Sequence, residues 1–465
     1  MKRLIIAAPQ SGSGKTTVAA GLMAALTAHG LRVAPFKVGP DYIDPTYHRL
    51  AAQQPSHNLD PWLLPPDRVM ASFGQRTQGA DIAIIEGMMG LFDGLSGADD
   101  SGSAAHIARL LGAPVLLVVD VNAMARSAAA IIRGFRDFDP RVRIAGVVLN
   151  RVGGAGHAKM VQEAIESETG VPVVGYLAQD DAFHLPERHL GLIPTAEPGS
   201  WQAWVKQVQA GVQRTFNLAT VVEIAASAGP LRSTPAAELF TRQQTLPRAK
   251  IAVADDAAFN FIYADNLDLL QAAGAEIVRF SPLHAVTLPA GVGAIYLCGG
   301  FPELYAAQLA ANHALLADLR RAQALSIPIY AECGGLMLLT EAIIDHAGVQ
   351  HRMAGLLPGR SVMTPHLTIG YRTVRTLHDS WLWRKDEVMR GHEFHYSIWQ
   401  DRPVTTPYAY HLQADAYHPA QLEGACVGNV FASYTHLHFL AQPELAERFV
   451  IAASRSTPWT SGGAS

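Results

Sequence analysis

A glycine-rich run lies between a short apolar segment and a helical pattern near the start of the chain. This run, GSGKTT at residues 12–17, follows the apolar segment LIIAA. Small residues let backbone N–H groups close around phosphate oxygens at a helix N-terminus, while Lys15 supplies a positive charge and Thr16 a hydroxyl for Mg²⁺. The strict phosphate-loop pattern has glycine where this chain has Pro9. We therefore predict a nucleotide-phosphate site, with an ordinary glycine-rich turn as the alternative.

Acidic side chains follow two further apolar segments that are predicted to be strands. Asp41 and Asp44 come after RVAPFK, and Glu86 and Asp93 come at and after the end of DIAIIE. The carboxyl ends of parallel strands meet at one edge of an open sheet, where ligands bind, and Mg²⁺ prefers oxygen ligands. A Glu between apolar neighbours at a strand end is costly without a partner, which favours a functional role for Glu86. For Asp93 a turn-forming role is an equal alternative.

Two ligand sets follow from these patterns. Asn150 and Arg151, at another predicted strand end, are candidates to reach the adenine base, although a loop cap is an equal alternative. The predicted ATP-binding residues are Gly12, Ser13, Gly14, Lys15, Thr16, Thr17 and Asn150. The predicted metal ligands are Thr16, Asp41 and Glu86.

A cysteine stands at a strand-to-helix junction in the second half of the chain. The segment IPIYAE has a buried-strand pattern, Cys333 follows it, and GGLMLL opens a helix. This arrangement is typical of a nucleophile elbow, in which neighbouring N–H groups hold an oxyanion. A helix N-terminus is expected to lower the pKa of the thiol, whose thiolate is the nucleophile. The oxyanion candidates are Gly299, Gly300 and Gly334, and a small cysteine buried in a core turn is the alternative.

A cysteine nucleophile needs a base. Our candidate is His436 in the segment YTHLHF, about 100 residues downstream of Cys333. Because the chain contains 19 histidines, a single histidine proves little. His392 and His395, in the segment GHEFHYS, are competitors for the same role.

The composition excludes several classes of protein. Among 465 residues, Lys plus Arg number 36 and Asp plus Glu 40, giving a net charge of −4, so we expect no nucleic-acid partner. Hydrophobic residues make up 49% and charged residues 16%, which excludes global disorder. Three cysteines are too few for a disulfide framework and favour a reducing compartment. No apolar run approaches the roughly 18 residues of a membrane span, so we expect a cytoplasmic protein without a membrane partner.

The elements that must position these residues are strands and helices in alternation. Continuous apolar runs without in–out alternation are typical of a parallel sheet covered by helices on both faces, which predicts a doubly wound α/β domain. The predicted strands are Lys2–Ala7, Arg32–Lys37, Asp81–Glu86, Pro114–Asp120, Ile144–Asn150 and Pro172–Leu177.

A second α/β block starts at Lys250 and becomes richer in strands after residue 350. The segment between the two blocks combines Ala, Ser, Thr, Pro and Gly with little periodicity, which is typical of a linker. The final TPWTSGGAS has the pattern of a frayed terminus. We therefore predict a first domain at residues 1–217, a linker at 218–249, a second domain at 250–445 and a C-terminal tail at 446–465.

Six segments together resemble the cobyrinic acid a,c-diamide synthase family, which includes the hydrogenobyrinic acid enzymes. They are SGSGKTT, FKVGPDYIDPTYH, IIEGMMGLFDG, PERHLGLIPTAE, YAECGGLM and ASYTHLHF. The resemblance covers nearly the whole chain, and FKVGPDYIDP is its most specific segment. It implies an N-terminal phosphate-loop domain like that of dethiobiotin synthetase, and a C-terminal class I glutamine amidotransferase domain.

The resemblance also implies an activity: amidation of the a- and c-acetates of a corrin macrocycle in cobalamin biosynthesis, with ATP, Mg²⁺ and glutamine. Cys333 would be the glutaminase nucleophile and His436 its base, whereas His438 stands where many class I glutaminases have Glu. Arg188, His189 and the segment 392–397 could contact the macrocycle, and a homodimer is a family-level expectation. The predicted substrate-binding residues are Asp41, Tyr42, Asp44 and Asp93.

Three other functions stay open on the sequence alone. The nearest is an a,c-diamide synthase for another tetrapyrrole, such as nickel-sirohydrochlorin, because only the macrocycle differs. A CTP-synthase-like amidotransferase shares the two-domain logic but aminates a nucleotide. A phosphate-loop ATPase that acts as a switch would need neither Cys333 nor a glutaminase domain.

Overall fold

The computed structural model describes residues 1–188, 191–197, 199–231, 237–241, 248–416 and 418–460. The chain divides into two compact units, Met1–Ala237 and Glu238–Ser465. Within the described ranges, no helix combines the length and the apolar character needed to cross a membrane.

The N-terminal unit contains a seven-stranded sheet whose paired strands are all parallel. All six predicted strands are present, and a short seventh strand, His57–Leu59, extends one edge. The sheet order is β3-β2-β4-β1-β5-β6-β7. The strands of this unit are β1 Lys2–Ala7, β2 Val33–Val38, β3 His57–Leu59, β4 Ile82–Glu86, β5 Val115–Asp120, β6 Ile144–Val152, β7 Val173–Ala178, β8 Glu187–Arg188 and β9 Gly191–Leu192.

Helices connect these strands, as the doubly wound pattern predicts. The first helix is separated from the end of β1 by seven residues and is mostly buried. The helices are α1 Lys15–Ala28, α2 Asp44–Ala52, α3 Pro66–Arg76, α4 Ala104–Leu111, α5 Ser127–Phe138, α6 Ala155–Thr169, α7 Trp201–Thr215 and α8 Leu218–Ala226.

Helix α8 lies in the segment that the sequence analysis assigned to a linker. Val221, Ile224 and Ala225 are buried at the i, i+3, i+4 spacing that places side chains on one helix face. Asn217 caps the helix, its side chain accepting a hydrogen bond from Thr220 N at 3.1 Å. The linker expectation fails for residues 218–226 because this apolar face packs against the N-terminal unit, with α8 meeting β1 and β7.

The C-terminal unit contains two sheets. The first has the order β11-β10-β12-β13-β21-β20 and is parallel except for the pairing of β20 with β21. The second has the order β15-β14-β16-β17-β22, with β18 and β19 paired to β16. Most of its strands follow residue 350, as predicted. The strands are β10 Ala249–Ala254, β11 Ala275–Phe280, β12 Ala294–Leu297, β13 Ile329–Glu332, β14 Ala342–Ile344, β15 Gln350–Arg352, β16 Arg360–Thr376, β17 Val388–Gln400, β18 Tyr410–Leu412, β19 Gln421–Glu423, β20 Ala425–Val427, β21 Val430–Ser433 and β22 His436–Leu437.

The residues beyond 445 are structured as far as the description extends, which corrects the prediction of a tail. The last helix presents buried Leu445, Phe449 and Val450 to the unit. Trp459 is fully buried, and its backbone N–H donates to Val292 O at 2.8 Å. The helices of this unit are α9 Ala264–Ala272, α10 Ala306–Ala311, α11 His313–Ala324, α12 Gly334–Leu339 and α13 Glu444–Arg455.

Candidate functional sites

The phosphate loop lies between β1 and α1, at the carboxyl edge of the parallel sheet. Gly14 has φ +88°, a conformation that favours glycine. A Cβ at this position would lie 2.1 Å from Asn150 Nδ2, so a side chain is excluded on steric grounds as well. Asn150 Nδ2 donates to Ser13 O at 2.9 Å. Asn150 therefore closes the loop from the end of β6, as the loop-cap alternative predicts, and its contact with an adenine base stays a prediction.

Lys15 folds over the loop that precedes it. Its Nζ donates to Met89 O at 2.6 Å and to Gln10 O at 3.3 Å. Burial and the nearby positive charge of Lys37 lower the pKa of Lys15 to about 8. Lysine at this position is a point charge directed at the space where nucleotide phosphates bind in such loops.

Thr16 and Glu86 meet at the base of the site. The hydroxyl of Thr16 donates to Glu86 Oε1 at 2.8 Å, and Glu86 is fully buried at the end of β4. His48 Nε2 lies 2.6 Å from the other oxygen, Glu86 Oε2. The pair of a threonine hydroxyl and an ionised carboxylate is a suitable oxygen donor set for Mg²⁺.

Lys37 is a site residue that the sequence analysis did not assign. The register of β2 against β4 places Lys37 opposite Glu86, and its Nζ lies 3.0 Å from Glu86 Oε1 and 2.5 Å from Asp44 Oδ2. Asp41 Oδ2 lies 3.8 Å from the same ammonium. The signal was present in the sequence, because a lysine inside an apolar strand needs partners for the same reason as Glu86.

The ammonium of Lys37 determines the charge state of its neighbours. Burial opposes its charge, yet Asp44, Glu86 and Asp41 together raise the pKa of Lys37 above its usual value. Burial also works against the charge of Glu86, but Lys37, His48 and Thr16 hold the pKa of that carboxyl below its usual value.

Three carboxylates surround this single ammonium, so negative charge is in excess. Burial and the charge of Asp41 raise the pKa of Asp44 well above its usual range. Asp41 Oδ1 accepts hydrogen bonds from Ile43 N at 2.8 Å and Asp44 N at 3.1 Å. These bonds fix the backbone at the start of α2.

An open cavity of about 560 Å³ is lined both by the phosphate loop and by the charged side chains around Lys37. Tyr42 is buried, with 6% of its surface exposed, and lies outside the lining. Asp93 is also outside the lining. Its carboxylate accepts a hydrogen bond from Gly90 N at 2.8 Å, as its turn-forming alternative predicts. Ser13 donates to Gln10 O at 3.0 Å within the loop. The predicted site residues that line the cavity are Gly12, Gly14, Lys15, Thr16, Thr17, Asp41, Asp44, Glu86 and Asn150.

The residues expected to contact a macrocycle receive little support. His189 lies outside the described residues, and Arg188 is in the short strand β8. In the segment 392–397, His392, Glu393 and Ser397 are each less than 5% exposed within β17. Phe394 and Tyr396 of the same segment are partly exposed, so contact of this segment with a macrocycle stays a prediction.

In the C-terminal unit, Cys333 occupies a sharp turn between β13 and α12. Its φ of +47° and ψ of −103° lie in a region that non-glycine residues rarely adopt. Its N–H donates to Ser433 O at 2.7 Å, which ties the turn to the end of β21. The strand–turn–helix context and strained backbone are those of a nucleophile elbow.

The thiol environment corrects one prediction from the sequence. Burial, followed by the charge of Glu303, raises the pKa of Cys333 well above its usual value, although the N–H of Gly334 opposes this shift. Helix α12 has only six residues, so its N-terminus does not outweigh desolvation. A thiol in this environment needs a neighbouring base to form the thiolate.

The glycines around the thiol bring backbone groups close together. A Cβ on Gly334 would lie 3.1 Å from the backbone nitrogen of Gly300, so the two glycines are packed against each other. Gly300 itself has φ +152°, and a Cβ there would lie 2.1 Å from Ala258 O. Gly299 instead packs against His436, whose Cε1 would lie 2.4 Å from a Cβ on this residue. Gly300 and Gly334 can therefore offer adjacent N–H groups, whereas Gly299 leaves space for the imidazole.

His436 is fully buried in β22. The register of β22 against β17 places it opposite His392, with ring centroids 5.1 Å apart. Burial, followed by the charges of His436 and His395, lowers the pKa of His392 well below its usual value. His395 is directed elsewhere, because its Nδ1 bonds to Ser397 O at 2.7 Å and its ring stacks on Tyr434 at 4.2 Å.

Comparisons with known proteins agree with this two-site architecture. Residues 4–193 match the profile of the CobQ/CobB/MinD/ParA nucleotide binding domain, and residues 250–444 match that of the CobB/CobQ-like glutamine amidotransferase domain. A cobyrinate a,c-diamide synthase of Dehalococcoides mccartyi is 46% identical over 96% of this chain and 97% of its own length. The chain belongs to the cobyrinate a,c-diamide synthase family.

Other members of the cobyrinate a,c-diamide synthase family match equally completely. The protein of that name from Priestia megaterium is 43% identical over 97% of this chain and 96% of its own length. The one from Salmonella typhimurium is 42% identical over 97% of this chain and 98% of its own. The N-terminal fold is thus that of a nucleotide-binding domain and the C-terminal fold that of a glutamine amidotransferase, as the sequence predicts.

Proposed function

We propose that this protein converts the a- and c-acetate carboxylates of a corrin macrocycle, cobyrinic or hydrogenobyrinic acid, to carboxamides with ATP and glutamine. The observation that carries the proposal is the cavity in which Lys15 and Thr16 lie beside Lys37, Asp41, Asp44 and Glu86. A phosphate-binding loop beside charged, buried side chains suits transfer of a phosphoryl group to a carboxylate. The names of the relatives support the choice of macrocycle.

The first step makes the carboxylate reactive. A carboxylate oxygen attacks the γ-phosphorus of ATP, ADP leaves, and an acyl phosphate forms. Lys15 offsets the charge of the transferring group, and the N–H groups of residues 12–17 hold the phosphates. Thr16, Glu86 and Asp41 would hold Mg²⁺, which neutralises charge on the phosphate oxygens.

The loop that carries Asp41 and Asp44 has a second role beside the phosphates. Lys37 sets the positions of Asp41 and Asp44 through the contacts described above. We assign these two carboxyl groups to substrate positioning, since both line the cavity. Tyr42 and Asp93 act indirectly in this proposal, because the one is buried and the other holds Gly90.

The second site supplies ammonia. His436 takes the proton of Cys333, and the thiolate attacks the carboxamide carbon of glutamine. The N–H groups of Gly300 and Gly334 hold the oxyanion. Ammonia then leaves, and water hydrolyses the thioester to glutamate. Ammonia displaces phosphate from the acyl phosphate and gives the carboxamide.

The test is incubation of the protein with Mg·ATP, glutamine and one macrocycle, followed by mass spectrometry. Parallel reactions contain cobyrinic acid, hydrogenobyrinic acid or nickel-sirohydrochlorin. Two successive amidations of a corrin, each dependent on ATP and glutamine, would support the proposal. Turnover of nickel-sirohydrochlorin alone would contradict the corrin assignment and make that macrocycle the substrate. Turnover of none of the three would contradict the tetrapyrrole assignment.

A further inference from the structure

A histidine base in such a site needs a group that fixes its ring and tautomer. The histidine two positions beyond His436 does not supply one, since His438 Nε2 faces Asp265 Oδ2 at 3.8 Å and its ring packs on Tyr263 at 4.4 Å. The carboxylate that faces His436 belongs instead to Glu332, the residue just before Cys333. Glu332 Oε2 lies 3.7 Å from His436 Nδ1.

We propose that Glu332 is the positioning residue of the glutaminase site: its carboxylate accepts the Nδ1 proton of His436 and leaves Nε2 to take the proton of Cys333. This inference rests on the function proposed above. Its geometry is specific, because Nδ1 faces Glu332 while Nε2 lies on the side of Gly299, 3.3 Å from where a Cβ on that glycine would be.

The surroundings of Glu332 suit an anionic acceptor. The side chain is 1% exposed. Its Oε1 accepts hydrogen bonds from Tyr330 OH at 2.7 Å and Leu437 N at 3.1 Å, and its Oε2 accepts one from Tyr296 OH at 3.1 Å. Burial and the charge of Glu332 raise the pKa of both tyrosines, which therefore remain protonated donors. These three donors hold the carboxylate group in place on the Nδ1 side of the imidazole.

Glu332 also holds the backbone beside the base. The N–H of Leu437, the residue after His436, is one of its donors. One carboxylate thereby connects the end of β13, which carries Cys333, to β22, which carries His436. The separation of 3.7 Å exceeds a hydrogen bond, but a movement of about 1 Å closes it, and catalytic hydrogen bonds commonly tighten when substrate binds.

The other ionisable groups near this pair do not replace Glu332. His392 is the nearest imidazole, but its lowered pKa keeps it neutral. Glu393 is engaged by Arg372, with Nε and Oε2 2.5 Å apart. Burial and the charge of Glu332 raise the pKa of Cys298 and Tyr410, and burial and Cys333 contribute to the raised pKa of Tyr434. The charge of Glu303 acts on Cys333 itself.

The test compares Glu332→Gln with the matched variant Asp265→Asn, which makes the same chemical change beside His438. We expect Glu332→Gln to lower kcat for glutamate release by about 100-fold or more, because an amide can stabilise the wrong tautomer of His436. The KM for glutamine and the ammonia-dependent synthetase rate should be unchanged. The acidic limb of the glutaminase pH profile should move to lower pH, since the imidazolium loses its carboxylate partner. Asp265→Asn should leave that limb in place.

Three results would overturn the assignment. They are wild-type kcat in Glu332→Gln, a loss that appears only in KM, and a pH limb that does not move. The same two variants can also be compared by the rate at which iodoacetamide alkylates Cys333, which requires neither glutamine nor a macrocycle. If the wild-type protein releases no glutamate, the proposed function fails, while alkylation still tests Glu332.

A second measurement covers the case in which Glu332→Gln does not fold. The wild-type protein is labelled with ¹⁵N-histidine, and the signals of His436 are identified by their absence from His436→Gln. We expect the proton of the neutral ring on Nδ1. A proton on Nε2 would contradict the inference.

Discussion

Lys37 Nζ lies 3.0 Å from Glu86 Oε1, and the two residues are direct neighbours in the register of β2 and β4. Both side chains are at least 97% buried. The pair lies between the phosphate-loop residues Lys15 and Thr16 and the carboxyl groups of Asp41 and Asp44, which line the same cavity. The ammonium of Lys37 thus offsets part of the negative charge of Glu86, Asp44 and Asp41.

Replacing Lys37 by Met should destabilise the protein. Removal of the ammonium leaves Glu86, Asp44 and Asp41 without their shared cation, so we expect the free energy of unfolding to fall by about 3–5 kcal/mol. Urea denaturation of the full chain measures this change. Lys159→Met is the matched control: its Nζ lies 3.9 Å from Glu163 at the surface, and a change below about 1 kcal/mol is expected. Equal effects of the two substitutions would contradict the buried-charge argument.

Glu86→Gln should impair the synthetase reaction while sparing the glutaminase. Glutamine at this position loses the charge that faces Lys37 and the oxygen donor beside Thr16, so we expect the rate of ammonia-dependent amidation to fall by about 100-fold or more. Mass spectrometry of the macrocycle follows this rate, and glutamate release without ATP monitors the other site. Glu163→Gln, on the exposed face of α6, should match the wild type. A Glu86→Gln enzyme with full ammonia-dependent activity would remove Glu86 from the site.

Cys333→Ala should abolish the use of glutamine as nitrogen donor without affecting the use of free ammonia. Without the thiol, glutamine-dependent amidation should be lost, whereas ammonium salts should support the wild-type rate. Cys426→Ala serves as the control, because this cysteine is partly exposed and lies in β20. Retention of glutamine-dependent activity in Cys333→Ala would show that the nucleophile is elsewhere.

Nucleotide affinity should weaken as the pH rises past about 8. Burial and Lys37 lower the pKa of Lys15 to this value, so the ammonium that attracts phosphate is present below it and is lost above it. Calorimetric titration with a non-hydrolysable ATP analogue across this range tests the prediction. Lys15→Arg should abolish the alkaline decline, because arginine stays protonated. A flat affinity profile in the wild-type protein would contradict it.

The parallel sheet and the position of the phosphate loop could be predicted because they depend on local patterns. Continuous apolar runs gave all six long strands of the N-terminal unit, whereas His57–Leu59 was missed because three residues are too few to form a pattern. Helix α8 was missed because it lies in a segment that combines Ala, Ser, Thr, Pro and Gly, as linkers do. Its apolar face is recognised only once there is a surface for it to pack on.

The sequence was enough to identify most residues of the two sites, but not their burial or the groups that they contact. Glu86 and Cys333 were identified from their places at strand ends. Lys37 was not, although its position inside an apolar strand carried the same argument as that for Glu86. The expected lowering of the thiol pKa was wrong because a helix N-terminus is visible in the sequence, while the desolvation of Cys333 depends on long-range packing. Glu332 escaped notice because the partner that it faces is about 100 residues away in the chain.

The burial of Trp459 affects how the chain can be altered at its C-terminus. Its ring lies beneath the guanidinium of Arg321 at 4.8 Å, its carbonyl accepts a bond from Gly291 N at 2.8 Å, and its N–H bonds to Val292. Truncated variants that end before this tryptophan would lose these contacts and destabilise the unit that holds Cys333. Affinity tags or fusion partners attached after residue 460 would leave that anchor in place.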